Sequence, residues 1–280
     1  METAVVHRNL TDLNAEPNFL AERKTQALFG ETLTIVKTQD EYALVRQTDG
    51  YEGWARSAAF TAVSTETGSA QDRDFWVVTD PVATVYDVAG EQAAPYFLTY
   101  GAHILPTGEA GRDEDVEFKE ELVAIANPAG GALWIESEAI SPMPCHRVGA
   151  GNGGGEGKSL AESILTATEE LLGVPYLWGG RSSLGLDCSA LVQLVYGLHG
   201  ITLPRDSAEQ CERGIEIARE ELRPADLIFS PGHVVIYIGA DKFIHASLGE
   251  GGVAINSYDP KANNYRADLD RDYVIARRLC

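Results

Sequence analysis

The chain has 280 residues, 44% hydrophobic and 23% charged, which suits two or three globular domains rather than a disordered polymer. A formal charge of −20 and a pI near 4.6 argue against nucleic acid or anionic lipid as partners, because a polyanion is repelled over most of the surface. No apolar run reaches the ~20 residues of a membrane-spanning helix, and the first twenty residues lack a basic stretch followed by an apolar core, so the expectation is a cytoplasmic protein with no membrane partner.

In chain order, residues 27–60 alternate apolar and polar side chains in short runs separated by turn clusters such as Thr48-Asp49-Gly50, which predicts a small antiparallel barrel. Residues 1–70 are assigned to it, with the N-terminal part as an extension. Residues 71–147 repeat the theme through DFWVVTDPVATVYDV, PYFLTYGAHILP, VEFKEELVAIAN and GALWIESEAI, with the acidic stretch GEAGRDEDVEF as a solvated loop. The Gly-rich segment 148–158 reads as a flexible linker.

A third domain, 159–280, starts with Ser159-Leu160-Ala161-Glu162, a capping box ahead of a helix with Leu160, Ile164, Ala167 and Leu171 on one face. Gly173 and Pro175 end that helix. DCSALVQLVYGLHG predicts a second helix, capped by Asp187 and closed by Gly200. The apolar runs DLIFS, HVVIYIG, DKFIHAS, GVAINSY and DYVIARRL then read as strands. Helices followed by an antiparallel sheet make the fold class α+β.

The four cysteines, Cys145, Cys188, Cys211 and Cys280, lack the clustering of a zinc site and are too few for a disulfide framework. Cys188 stands apart. Behind an Asp187 cap it lies in the first helical turn, where unpaired N–H groups and the dipole favour a thiolate and one N–H can meet an oxyanion. His233 opens a predicted strand after the turn Ser230-Pro231-Gly232, and His245 follows across the turn at Gly239-Ala240-Asp241. Paired antiparallel, those strands let one imidazole act as general base while the other orients it.

The ordered motifs PYLWGG, DCSALVQLVY, LPRDSAEQ, ADLIF, GHVVIYIG and FIHAS strongly resemble those of the NlpC/P60 cell-wall peptidases. Ala190 and Val235 are the small departures, beside the motif residues rather than at them. The resemblance implies a papain-like core with Cys188, His233 and His245 as the triad and Tyr176 assisting the oxyanion. It also implies a cysteine peptidase that needs no metal and no organic cofactor. Asp187, Ser189, Asp206 and Ser207 fall on substrate-binding positions of the family.

The two N-terminal barrels resemble bacterial SH3 (SH3b) domains, the run YEGW at Tyr51–Trp54 carrying the likeness. Two SH3b barrels before an NlpC/P60 domain resemble the endopeptidases that cut the γ-D-glutamyl–diamino acid bond of murein peptides beginning with a free L-Ala. In that layout Glu31 and Tyr51 fall where the peptide ammonium is bound. Two rival readings are an exported hydrolase acting on intact wall and an SH3b wall-binding module with an inactive peptidase fold.

Overall fold

A computed structural model describes residues 2–63, 75–86, 96–110, 122–143 and 159–279. The chain separates into two compact units, Met1–Met143 and Pro144–Cys280. The linker expected at 148–158, and the acidic stretch beyond Ala110, lie outside the described residues.

In the first unit, β1 (Glu2–Val6), β2 (Leu10–Asn14), β3 (Arg23–Leu28), β4 (Thr32–Gln39), β5 (Tyr42–Arg46), β6 (Glu52–Arg56) and β7 (Phe60–Val63) form one antiparallel sheet. Its order is β3-β2-β6-β5-β4-β1-β7. Alternate side chains point inward, as the pleat requires, and Val6, Leu13, Leu33, Val45 and Ala55 fill the core. Residues 2–14 are not an extension: β1 pairs with both β4 and β7, and β2 with β3 and β6.

A second barrel follows, built from β8 (Trp76–Val78), β9 (Val82–Tyr86), β10 (Tyr96–Thr99), β11 (His103–Ile104), β12 (Pro106–Ala110), β13 (Leu122–Ala126), β14 (Ala132–Glu136) and β15 (Ile140–Pro142). Two sheets, β10-β9-β14-β13-β12 and β11-β8-β15, enclose Val78, Val85, Leu98, Ile125 and Ile135. Phe29, from the turn after β3, is buried in this second core. The next residue, Gly30, has φ +77° and packs on the His103 carbonyl, where a Cβ would sit 1.8 Å from the oxygen. Only glycine tolerates both the backbone angle and the approach. The Tyr96 hydroxyl also donates to the His7 carbonyl, so the two barrels are fused rather than strung on a linker.

In the second unit the Ser159–Glu162 capping box is present in both directions, and it starts α1 (Leu160–Glu169). A small ribbon, β16 (Arg181–Ser182) and β17 (Gly185–Leu186), leads into α2 (Cys188–Leu198), then α3 (Ser207–Gln210). The sheet contains β18 (Ile215–Ile217), β19 (Leu227–Ser230), β20 (His233–Gly239), β21 (Lys242–Ser247) and β22 (Gly252–Ser257). After α4 (Ala267–Arg271), β23 (Ile275–Arg278) completes it. Its order, β18-β23-β19-β20-β21-β22, is antiparallel throughout.

Helix α2 is buried on nearly every side and contacts α1, β20 and β21. Such a helix is held by packing more than by propensity. Burying Leu191, Val192, Leu194 and Val195 contributes roughly 1.5–3 kcal/mol each. The Tyr196 hydroxyl donates to the Ala225 carbonyl ahead of β19, and Gly200 at φ +78° ends the chain's helical run. This anchoring fixes the N-terminus of α2, and therefore Cys188, against the start of β20. The unit is α+β, as expected.

Candidate active site

Asp187 caps α2 by accepting the Ala190 N–H at 2.8 Å. The same carboxylate accepts the Gly179 N–H at 3.0 Å, a long 3.2 Å bond from the Ser189 hydroxyl, and a two-pronged contact from Arg205. Arg205 is only 2% exposed and also donates to Ser189 Oγ. A planar guanidinium matches a carboxylate in this way better than any other cation. Gln210 adds a clamp from α3, its amide donating to the carbonyls of Ser189 and Pro204. Asp187 and Ser189, both expected at the substrate, are also engaged by the fold itself, where they fix the helix start.

Tyr176 is strung between two segments, the turn ahead of β22 and the strand β17. Its N–H donates to Gly251, while Leu177 and Leu186 bond around it, which sets the phenol beside Cys188. Burial, followed by the proximity of Cys188 and Asp187, pushes this phenol up to about 12, so it stays a hydrogen-bond donor.

Cys188 is 8% exposed, and the backbone N–H groups of Val234 and Ser189 face its sulfur. Val234 follows His233, so the thiol meets the mouth of β20. His233 Nε2 lies 2.7 Å from His245 Nδ1, the rings meeting edge to face at 79°. His245, 1% exposed on β21, has its Nε2 2.8 Å from Asn256 Oδ1 on β22. With Nε2 taken, Nδ1 is the nitrogen of His233 left for proton exchange.

Burial, with His245 and Arg266 next, pushes His233 down to about 3, against the pull of Asp268. Burial likewise holds His245 down at about 4, despite the Asn256 bond. Burial and then Asp187 push the Cys188 thiol up to about 11, overcoming the two N–H groups and Arg205. Burial therefore works against the thiolate that the helix start favours. Desolvation disfavours the charged forms of both the thiol and the imidazole, against a dipole effect worth at most about 2 kcal/mol.

Asp206 is exposed ahead of α3 and makes no side-chain capping bond; Ser207, half-buried, opens that helix. In the first unit, Glu31 is buried, its Oε2 accepting the Leu28 N–H at 3.0 Å and the Gln47 amide at 3.3 Å. Gln47 N–H in turn donates to the Tyr51 carbonyl, and the Lys24 ammonium lies 4.6 Å from the Tyr51 ring centroid. Among the described residues no group of three His, Cys, Asp or Glu is placed to hold a metal.

Sequence reasoning missed Arg205 and Asn256. The signals were there: a cation between Pro204 and Asp206 in a loop, and an amide in the strand run GVAINSY.

Residues 173–271 match the NlpC/P60 family, and residues 13–60 match the bacterial dipeptidyl-peptidase SH3 domain. The chain carries an NlpC/P60 domain behind an SH3 domain of that type. Among curated relatives, a γ-D-glutamyl-L-lysine dipeptidyl-peptidase of Bacillus cereus (strain ATCC 10987 / NRS 248) is 28% identical over 256 residues, 83% of this chain and 69% of the relative. Dipeptidyl-peptidase 6 of Lysinibacillus sphaericus is 27% identical over 270 residues, 95% of both chains. A crystal structure of an NlpC/P60 family protein from Bacillus cereus ATCC 10987 has the same fold over 99% of both chains, with a TM-score of 0.80 at 23% identity.

Proposed function

We propose that this NlpC/P60 protein is a cell-wall cysteine peptidase that hydrolyses the γ-D-glutamyl–diamino acid bond of murein peptides with a free N-terminal L-Ala, acting in the cytoplasm on recycled peptides. The observation that carries the reading is the alignment of a buried thiol at a helix start with two hydrogen-bonded imidazoles on adjacent strands. The names of the two dipeptidyl-peptidase relatives support the substrate.

On this reading Cys188 Sγ attacks the γ-carbonyl of D-Glu as its proton passes to His233 Nδ1, and ionisation accompanies attack rather than preceding it. The Tyr176 hydroxyl and the Cys188 N–H receive the oxyanion. His233 then protonates the leaving amine of the diamino acid, generating a γ-glutamyl thioester. Water, deprotonated by His233, resolves the thioester and releases L-Ala-D-Glu. Asp206 and Ser207 are the proposed peptide contacts in this unit, and Glu31 and Tyr51 the proposed receivers of the ammonium.

Product analysis by mass spectrometry on L-Ala-γ-D-Glu-diaminopimelate tests this, with Cys188→Ala as control. Release of L-Ala-D-Glu by the wild type alone is expected; release by the Cys188→Ala protein would sink the assignment. A second experiment addresses the free amine. Acetylating the L-Ala nitrogen removes the charge that Glu31 is proposed to meet, so kcat/KM should fall roughly tenfold or more. Equal turnover of capped and free peptides would remove Glu31 and Tyr51 from the substrate site.

A further inference from the structure

Asn256 is 4% exposed on β22, opposite Phe243 in the strand register, and its amide is bonded at both ends. Nδ2 faces two acceptors, the Asn264 carbonyl at 3.2 Å and Glu250 Oε1 at 3.4 Å. Two acceptors on one side fix which amide atom is nitrogen, so the atom 2.8 Å from His245 Nε2 is the oxygen. An amide oxygen cannot donate. His245 Nε2 must therefore carry the hydrogen.

A neutral imidazole has a single N–H, which leaves His245 Nδ1 with a lone pair. Its 2.7 Å contact with His233 Nε2 is then a hydrogen bond donated by His233. The lone pair of His233 is consequently on Nδ1, the nitrogen not taken by His245. The orientation of one side-chain amide, two groups away, dictates which nitrogen of His233 is basic.

We propose that Asn256 is a positioning residue that sets the tautomer of both active-site histidines, an inference that rests on His233 being the general base. The relay also serves the charged state. Once His233 holds two protons, its Nε2–H still points at the His245 lone pair, so no ring turns during the reaction. The charged groups around the relay, Glu250, Arg266 and Asp268, are paired with one another through Arg266, at 3.3 Å to Glu250 and 2.7 Å to Asp268. They brace Asn256 and the Asn264 loop from outside.

Without the Asn256 oxygen, His245 is free to carry its hydrogen on Nδ1. That hydrogen would point at His233 Nε2, force the other tautomer on His233 and place an N–H against the thiol. The test is long-range ¹H–¹⁵N spectroscopy of the full chain with ¹⁵N-labelled histidine, assigned with His245→Gln, alongside peptide kinetics. Wild type should show the Nε2–H tautomer at both His233 and His245.

In Asn256→Ala the Nδ1–H form should appear, with kcat down about 10- to 100-fold and KM within about twofold of wild type, the usual range for a group that orients rather than reacts. Asn256→Asp keeps an acceptor facing His245, and should keep the wild-type His245 tautomer and recover most of kcat. An Nδ1–H His245 in the wild type overturns the proposal, as does a folded Asn256→Ala protein with wild-type tautomers and kcat. If Asn256→Ala does not fold, Asn256→Asp decides: Nε2–H at His245 supports the proposal and Nδ1–H overturns it. The spectra need no substrate, so failure to cut the γ-glutamyl peptide would count against the proposed function and leave the tautomers readable.

Discussion

On the thiol side of the site, a buried ion pair between Asp187 and Arg205 pins the start of α2, with Ser189 and the Gln210 amide nitrogen adding bonds to it. On the imidazole side, neutral groups stand in file, His233, His245 and Asn256, each linked by one directional hydrogen bond. The two arrangements solve different problems. The nucleophile needs a fixed position, and a charged clamp bonded at several points gives rigidity. A base needs a particular nitrogen unprotonated, and that information passes only through groups that distinguish donor from acceptor. Keeping the full charges of the clamp in a closed pair also spares Cys188 part of the field of Asp187, which on its own raises the thiol further.

The clamp predicts the largest single effect. Arg205→Leu leaves the Asp187 carboxylate buried without its cation, and should cost about 3–5 kcal/mol of stability by urea unfolding. Adding Asp187→Asn keeps a helix cap while removing the orphaned charge, so the double variant should recover a good part of that loss. A double variant no more stable than the single would show that packing, not charge, makes Arg205 important.

Tyr176→Phe sharpens the thiol side differently, since it removes a proposed oxyanion donor without touching the clamp. A fall in kcat on the order of 10²-fold with little change in KM is expected from steady-state kinetics. Unchanged kcat would take the phenol out of the oxyanion site.

The imidazole side predicts a smaller and graded effect. Both imidazoles bind protons more weakly when folded than the ordinary value of 6.5, His245 at about 4 and His233 at about 3. The unfolded chain therefore takes up more protons as the pH falls. The stability held above pH 6.5 is lost progressively toward pH 4 and below, wherever the unfolded state binds the extra protons. Thermal melts of wild type and His233→Gln should diverge across that window, the variant falling less steeply. Parallel curves would mean that the imidazoles are not desolvated as the structure places them.

Much of this site was legible in the sequence, for local reasons. The Asp187 cap, the Gly200 stop, the Ser159–Glu162 box and the strands carrying His233 and His245 all follow from spacing and turn chemistry, and all are present. What was not legible depends on non-local contacts. Phe29 reads as the end of a strand run, and its burial in the second barrel's core exists only once residues 78–140 have folded around it. Residues 2–14 lack a strong alternating pattern, yet β1 finds partners in β4 and β7. Arg205 and Asn256 look like ordinary polar residues until Asp187 and His245 arrive beside them. The environment of Cys188 divides in the same way: the helix start that favours a thiolate is written locally, whereas the burial that opposes it depends on the folded surroundings.

Trapping of the acyl-enzyme tests the central claim most directly. Rapid acid quench during turnover of L-Ala-γ-D-Glu-diaminopimelate, followed by peptide mass spectrometry, should find the L-Ala-D-Glu acyl group on the peptide containing Cys188, and none in the Cys188→Ala protein. Turnover that persists in Cys188→Ala, or an acyl group recovered on any residue other than Cys188, would contradict the account.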